Sequence, residues 1–126
     1  MGPCVRAIRG AISVEANEKE AILQASGELL SAIVRHNDLV PEQVIAILFT
    51  ATSDLDAAYP AEAVRAMGWR QVAMLCLQEM AVAGALPRCI RVLVLVNGDG
   101  SDRPVRHVYL REARRLRPDW STEGGG

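Results

Sequence analysis

Two stretches decide what this chain can fold into. Val44 to Thr50 reads VIAILFT, and Cys89 to Val96 reads CIRVLVLV. A strand exposed on one side alternates apolar and polar residues, whereas a short unbroken apolar run rich in β-formers reads as a strand covered on both faces. Neither run approaches the ~18 residues that a membrane-spanning helix needs. The chain must therefore set two buried strands in a sheet and cover both sides of it.

The rest of the chain supplies the partners. Val5 to Ile12 predicts a first strand, with Gly10 closing its polar end. Asn17 offers an N-cap with Glu20 at the capping-box position. Ile22, Ala25, Leu29 and Ile33 then recur at helical spacing, so a helix runs to about His36. Pro41 and Glu42 start a short turn. Pro60 at a helix N1 and Gly68 at its C′ bracket a helix from Ala61 to Met67. Val72 to Leu77 and Val105 to Tyr109 complete five strands, and Asn97-Gly98-Asp99-Gly100 marks a turn. A helical turn through Arg111 to Leu116 precedes a polar tail, 119–126, expected to be disordered.

Interleaved strands and helices predict an α/β or α+β fold with a mixed sheet and flanking helices, in one domain over residues 1–126. Two or three helices cover one sheet face and leave the other under-covered, so an oligomer is expected.

Composition narrows the function. Half of the residues are apolar and the net charge is −1, so no global field draws in nucleic acid or a membrane surface. The arginines from Arg103 to Arg117 are interspersed with Asp102, Glu112 and Asp119 and lack interleaved aromatics for stacking bases. Cys4, Cys76 and Cys89 are odd in number and match no metal-site or disulfide spacing, and the first residues lack the apolar core of a signal peptide. A reduced, cytoplasmic protein is expected. Thirteen of the fourteen basic residues are Arg, Lys19 being the exception. A GC-rich genome accounts for such a bias; Arg is also the better bidentate partner of carboxylates.

Four residues stand out chemically. Arg91 interrupts an otherwise apolar strand, and a charge there must be paired or functional because burying it alone is costly. The pattern admits a functional charge and, equally, a strand-edge Arg or a structural ion pair. Arg9 sits near the end of the first strand, where ligand sites in sheet proteins gather, or is simply solvated. Glu79 follows the third strand and Tyr109 ends the fifth; a solvated carboxylate and a packed ring are the ordinary readings. His36 and His107 have no nearby acid or cysteine in sequence. No Ser-His-Asp order, phosphate loop or metal-ligand cluster appears.

Taken together the segments are more telling. Ala7-Ile8-Arg9-Gly10-Ala11, Ala51-Thr52-Ser53-Asp54-Leu55, Tyr59-Pro60-Ala61-Glu62-Ala63-Val64-Arg65, Cys76-Leu77-Gln78-Glu79-Met80, Cys89-Ile90-Arg91-Val92 and Arg106-His107-Val108-Tyr109-Leu110 resemble, in order, the signatures of AroH-class chorismate mutases. Leu116-Arg117-Pro118-Asp119 resembles their C-terminal segment.

The resemblance implies a homotrimer with a barrel-like core, helices outside, and active sites in clefts between subunits. It implies that Arg9, Arg91 and Tyr109 bind the carboxylates and ether oxygen of chorismate. Glu79, with Cys76, is implied to hold the ring hydroxyl. Tyr59, Ala61 and Arg65 of a neighbour line the mouth, and Leu116 and Arg117 close over it. Tyr59 stands where Phe is common, Glu62 where Lys occurs, and Leu75 where Thr occurs, which removes a possible side-chain contact with substrate. The implied reaction is an intramolecular rearrangement to prephenate, which needs no cofactor or metal, and this agrees with the lack of any nucleophile or ligand motif.

Two other readings stay open. A trimeric imine deaminase of the RidA type uses similar clefts with an Arg, although its Arg-centred motif is missing here. A non-catalytic trimer that binds a carboxylate ligand is the second.

Overall fold

The structure is a computed structural model and describes residues 4–98 and 103–120. Five strands form one mixed sheet: β1 (Val5–Ser13), β2 (Val44–Ala51), β3 (Ala73–Gln78), β4 (Cys89–Asn97) and β5 (Val108–Leu110), in the spatial order β3-β2-β4-β1-β5. β4 runs antiparallel to both its neighbours, while the edge strands β3 and β5 lie parallel to β2 and β1. Helices α1 (Lys19–Asn37) and α2 (Ala61–Ala66) connect the early strands. The α+β class and mixed sheet expected from the sequence are thus observed.

The strand period of two sorts residues onto two faces. Ile8, Ile12, Ile47, Phe49, Ile90, Val92, Val94, Val108 and Leu110 face α1 and α2 and form the main core with Ile22, Leu29, Leu30 and Ile33. The expected helical stripe of α1 is buried, and Ser26 within it donates to the Ile22 carbonyl at 2.7 Å, so its buried hydroxyl is satisfied. The opposite face carries Leu48, Thr50, Leu75, Leu77, Arg91, Leu93 and Leu95. These are half-buried or exposed in the single chain. Burial of the Val44–Thr50 run on both faces is therefore met on one face only within one chain, with Ile45 exposed as well.

Several local expectations are corrected. Gly10 lies inside β1 rather than closing it, because α1 crosses there: a Cβ on Gly10 would stand 2.9 Å from both Ile33 Cδ1 and the Val108 carbonyl oxygen. Arg9 is thus mid-strand, and its placement near a strand end does not hold. Asn17 does not cap α1. Glu18 occupies that position without a side-chain bond, while the Asn17 amide donates to Asp56 and its oxygen accepts the Asp56 and Ala57 N–H groups at 2.9 and 3.1 Å. Its polar atoms are used to clasp the loop after β2. Pro60 is the N-cap of α2 rather than N1. α2 stops at Ala66, one residue short of Met67, and Gly68 follows at φ +94°, the left-handed conformation glycine favours. β5 starts at Val108, not Val105: Pro104 offers no N–H, and the Arg106 N–H is taken by the Asn37 side chain at 2.8 Å.

The turn expected at 97–100 and the tail at 119–126 fall partly outside the described residues. Pro118–Trp120 forms a 3₁₀ turn after another at Arg111–Leu116. Among the described residues no helix is long and apolar enough to cross a membrane.

Candidate active site

One rung crosses all five strands: Tyr109 on β5, Ala11 on β1, Arg91 on β4, Thr50 on β2 and Leu77 on β3. Every member faces the sheet side away from the helices. Strands are ~4.8 Å apart, so the backbones of Tyr109 and Arg91 are separated by about 10 Å with only the Ala11 methyl between them. Ala11 keeps the rung between the phenol and the guanidinium small, and it is fully buried there.

Glu79 comes just past the end of β3, its N–H held by the Ala51 carbonyl at 2.9 Å. Its carboxylate accepts a hydrogen bond from the Thr50 hydroxyl and lies 3.5 Å from Arg91 Nε. Arg91 Nε is itself buried and has no hydrogen-bond partner among the described residues. Both side chains are partly covered, 30% exposed for Arg91 and 23% for Glu79. The sequence left Arg91 open between a functional charge and an ion pair. The structure shows an ion pair too long to satisfy the buried donor, leaving hydrogen-bonding capacity on that strand.

Tyr109 is buried with Ala11, Cys89 and Ala113, and Leu116 packs against this cluster. Burial raises the Tyr109 titration above its ordinary value, while Arg9, Arg117 and Arg91 all lie near enough to pull it down. Three guanidiniums therefore lie within electrostatic reach of one phenol. Arg117 is held by Asp119 through two bonds, 3.2 and 2.9 Å long. The Arg9 N–H donates to His107 Nδ1 at 2.9 Å. Cys89 lies behind Arg91, and burial pushes its thiol up to about 11, so it is protonated at neutral pH.

The remaining sequence-derived residues lie elsewhere. Cys76 is on the opposite face of β3 from Leu75 and Leu77, against the main core. It lines a separate open cleft of about 470 Å³ with Tyr59, Glu62, Thr52 and Leu55. Tyr59 is 68% exposed there. Ala61 is buried in the core, and Arg65 stands exposed on α2. A second cleft, about 380 Å³, has Glu79, Met80, Val82 and Leu86 among its lining residues. Within one chain, then, Arg9, Arg91, Glu79, Tyr109 and the Leu116–Arg117 segment gather on one side, and Cys76 goes with Tyr59 on the other. Leu75 is exposed on the arginine-bearing face.

Sequence reasoning missed Thr50 and His107. Thr50 is the hydroxyl at the end of an apolar run, aligned with the one charge of the other. His107 was set aside because it lacks a nearby acid in sequence, whereas its partner is a backbone N–H. Among the described residues no group of three or more His, Cys, Asp or Glu side chains is gathered to hold a metal ion.

Comparison with known proteins gives the family. The family profile of chorismate mutase type I matches residues 5–120. The chain is 53% identical over 116 residues to chorismate mutase AroH of Thermus thermophilus, covering 91% of this chain and 95% of that protein. It is 47% identical over 118 residues to the Bacillus subtilis AroH, covering 93% of each. Its fold is similar to the solved chorismate mutase of Clostridium thermocellum, with a TM-score of 0.85, 43% identity, and coverage of 88% of this chain and 99% of that one.

Proposed function

The chain belongs to the type I chorismate mutase family, and from that premise we propose that it rearranges chorismate to prephenate in a cleft shared by adjacent copies in a homotrimer. The observation that carries the reading is Arg91: a guanidinium with an unsatisfied buried Nε, set one small residue from Tyr109 and backed by Glu79.

The reaction breaks a C–O bond and forms a C–C bond within one molecule. The protein's contribution is to hold the substrate folded so that the two carbons meet, and to place charge where charge develops. Negative charge grows on the ether oxygen as the C–O bond lengthens, and Arg91 answers it. Arg9 and Tyr109 bind the carboxylates, with Arg117 swung over by the tail. Glu79 accepts the ring hydroxyl and balances the charge building on the ring. No residue here has to act as nucleophile or base, and the protonated Cys89 is consistent with that.

Trimer formation is supported by the open apolar sheet face, where Leu48, Leu75, Leu77, Leu93 and Leu95 await cover. The split of residues between two sides supports an inter-subunit site. On this reading Cys76 joins Tyr59, Ala61 and Arg65 as the neighbour's contribution and does not act beside the Glu79 of its own chain. A cytoplasmic location goes with the reduced cysteines.

The test is direct: chorismate absorbance is followed with the purified chain, with and without EDTA. Prephenate forming at a rate unchanged by EDTA is expected. Loss of chorismate without prephenate, or no loss, favours an imine deaminase or a non-catalytic carboxylate binder.

A further inference from the structure

We propose that His107 is a positioning residue for Arg9, its imidazole serving as the missing rung that fixes β1 where Arg9 leaves the sheet to meet the substrate carboxylate. The proposal rests on the reading of Arg9 as a carboxylate ligand.

The parallel ladder between β1 and β5 begins at Gly10 opposite Val108. One residue earlier, at Arg9, residues 103–107 form no strand and present no ladder carbonyl. The Arg9 N–H donates instead to His107 Nδ1, 2.9 Å away, in a partly buried setting. A ring nitrogen that accepts a hydrogen bond carries no proton, so the neutral ring is the Nε2–H tautomer. Burial and the nearby charges of Arg9, from β1, and Arg117, from the tail, lower the His107 titration below 6.5, keeping the acceptor form at neutral pH. The ring thus extends the sheet by one hydrogen bond at the backbone of Arg9, within electrostatic reach of both Arg9 and Arg117.

This order constrains Arg9 from its backbone. Gly10, the next residue, is locked under Ile33 and Leu29 of α1. With the Arg9 N–H also fixed, the side chain has one launch point. Releasing the N–H leaves a partly buried donor unsatisfied and lets the strand end shift. Displacements of about 1 Å at a binding group are enough to change substrate capture strongly.

The test compares His107→Asn, whose side-chain oxygen can take the place of Nδ1, with His107→Leu, which cannot accept. His107→Leu is expected to raise KM about tenfold, within the range for an orphaned buried donor, with kcat changed far less. His107→Asn is expected to stay within about threefold of the parent. In a double-mutant cycle, His107→Leu adds nothing to the KM increase of Arg9→Ala, because it acts through Arg9. Additive effects, or equal impairment of the Asn and Leu variants, overturn the proposal. Should His107→Leu fail to fold, ¹⁵N spectroscopy of the parent decides: an Nε2–H tautomer upholds the role and an Nδ1–H tautomer ends it. Failure of the parent to turn over chorismate would instead strike the functional reading and leave the tautomer result standing.

Discussion

Replacing Arg91 by alanine separates a structural charge from a catalytic one. The structural contribution is small. The Arg91–Glu79 contact is 3.5 Å long and both partners keep some solvent, 30% and 23%. Screening reduces such a pair to about 1 kcal/mol, and Glu79 retains its hydrogen bond from Thr50. A loss of that size lowers Tm by only a few degrees. On the proposed function the catalytic contribution is larger. Loss of one preorganised donor to a developing oxyanion lowers kcat by about 10²–10³, or roughly 3–4 kcal/mol. A charged donor in a closed cleft should do at least as much. Because the interaction grows as the C–O bond breaks, kcat should fall much more than KM rises. Arg91→Lys keeps the charge without the planar fork and should recover only part of the rate. The assay measures kcat, Tm and molar mass on one preparation. A folded assembly with near-normal kcat would refute the reasoning, and a loss of assembly with no folded protein would return Arg91 to a structural role.

Other expectations follow from the same geometry. Gly10→Ala places a methyl 2.9 Å from Ile33 Cδ1 and the Val108 oxygen, and should lose about 1–3 kcal/mol in denaturant melts; an unchanged midpoint would show that α1 does not rest on β1 as described. Leu95→Glu, on the open face and four residues from Arg91, should shift the scattering mass from about 41 kDa, three chains of 13.6 kDa, toward one chain. Arg91→Ala and Arg65→Ala chains, refolded together, should regain activity in hybrid clefts if the two residues come from different copies. The His107 titration is lowered in the folded state, so the stability it supports is present above pH 6.5 and is lost as pH falls below that value; the melting profile of His107→Asn should be flatter across that window.

Much of the fold was legible because its strands are loud. VIAILFT and CIRVLVLV mark the sheet centre, and the α1 stripe of Ile22, Ala25, Leu29 and Ile33 marks its cover. What failed were local polar signals whose partners lie far away. Asn17 looked like a cap because sequence shows only neighbours, yet its partners Asp56 and Ala57 are about forty residues on. Gly10 looked like an end because glycine usually punctuates, but here a crossing helix requires it. The arginine-bearing half of the site could be guessed from one charge in an apolar strand. Its alignment with Tyr109, Ala11 and Thr50 is a matter of register, which a single sequence does not state. Cys76 lies within β3 and Glu79 just past its end; in this chain Cys76 lines the Tyr59 cleft while Glu79 meets Arg91.

The strand order bears on how the chain comes to be folded at all. β1 is synthesised first, yet its sheet partners are β4 and β5: Val5 faces Asn97, and Gly10 faces Val108. β2 and β3 can pair early across the short α2 connection. β4 then has to enter between β2 and β1, antiparallel to both. Such long-range closure slows folding and leaves apolar strands open in the meantime. Until β4 docks, no ladder joins β1 to β2; what holds the two halves is α1 against α2 and the Asn17 clasp on the loop after β2. The strand that carries Arg91 is the one that joins the two ladders, so a chain caught partway along its route holds neither a whole sheet nor Arg91 in place.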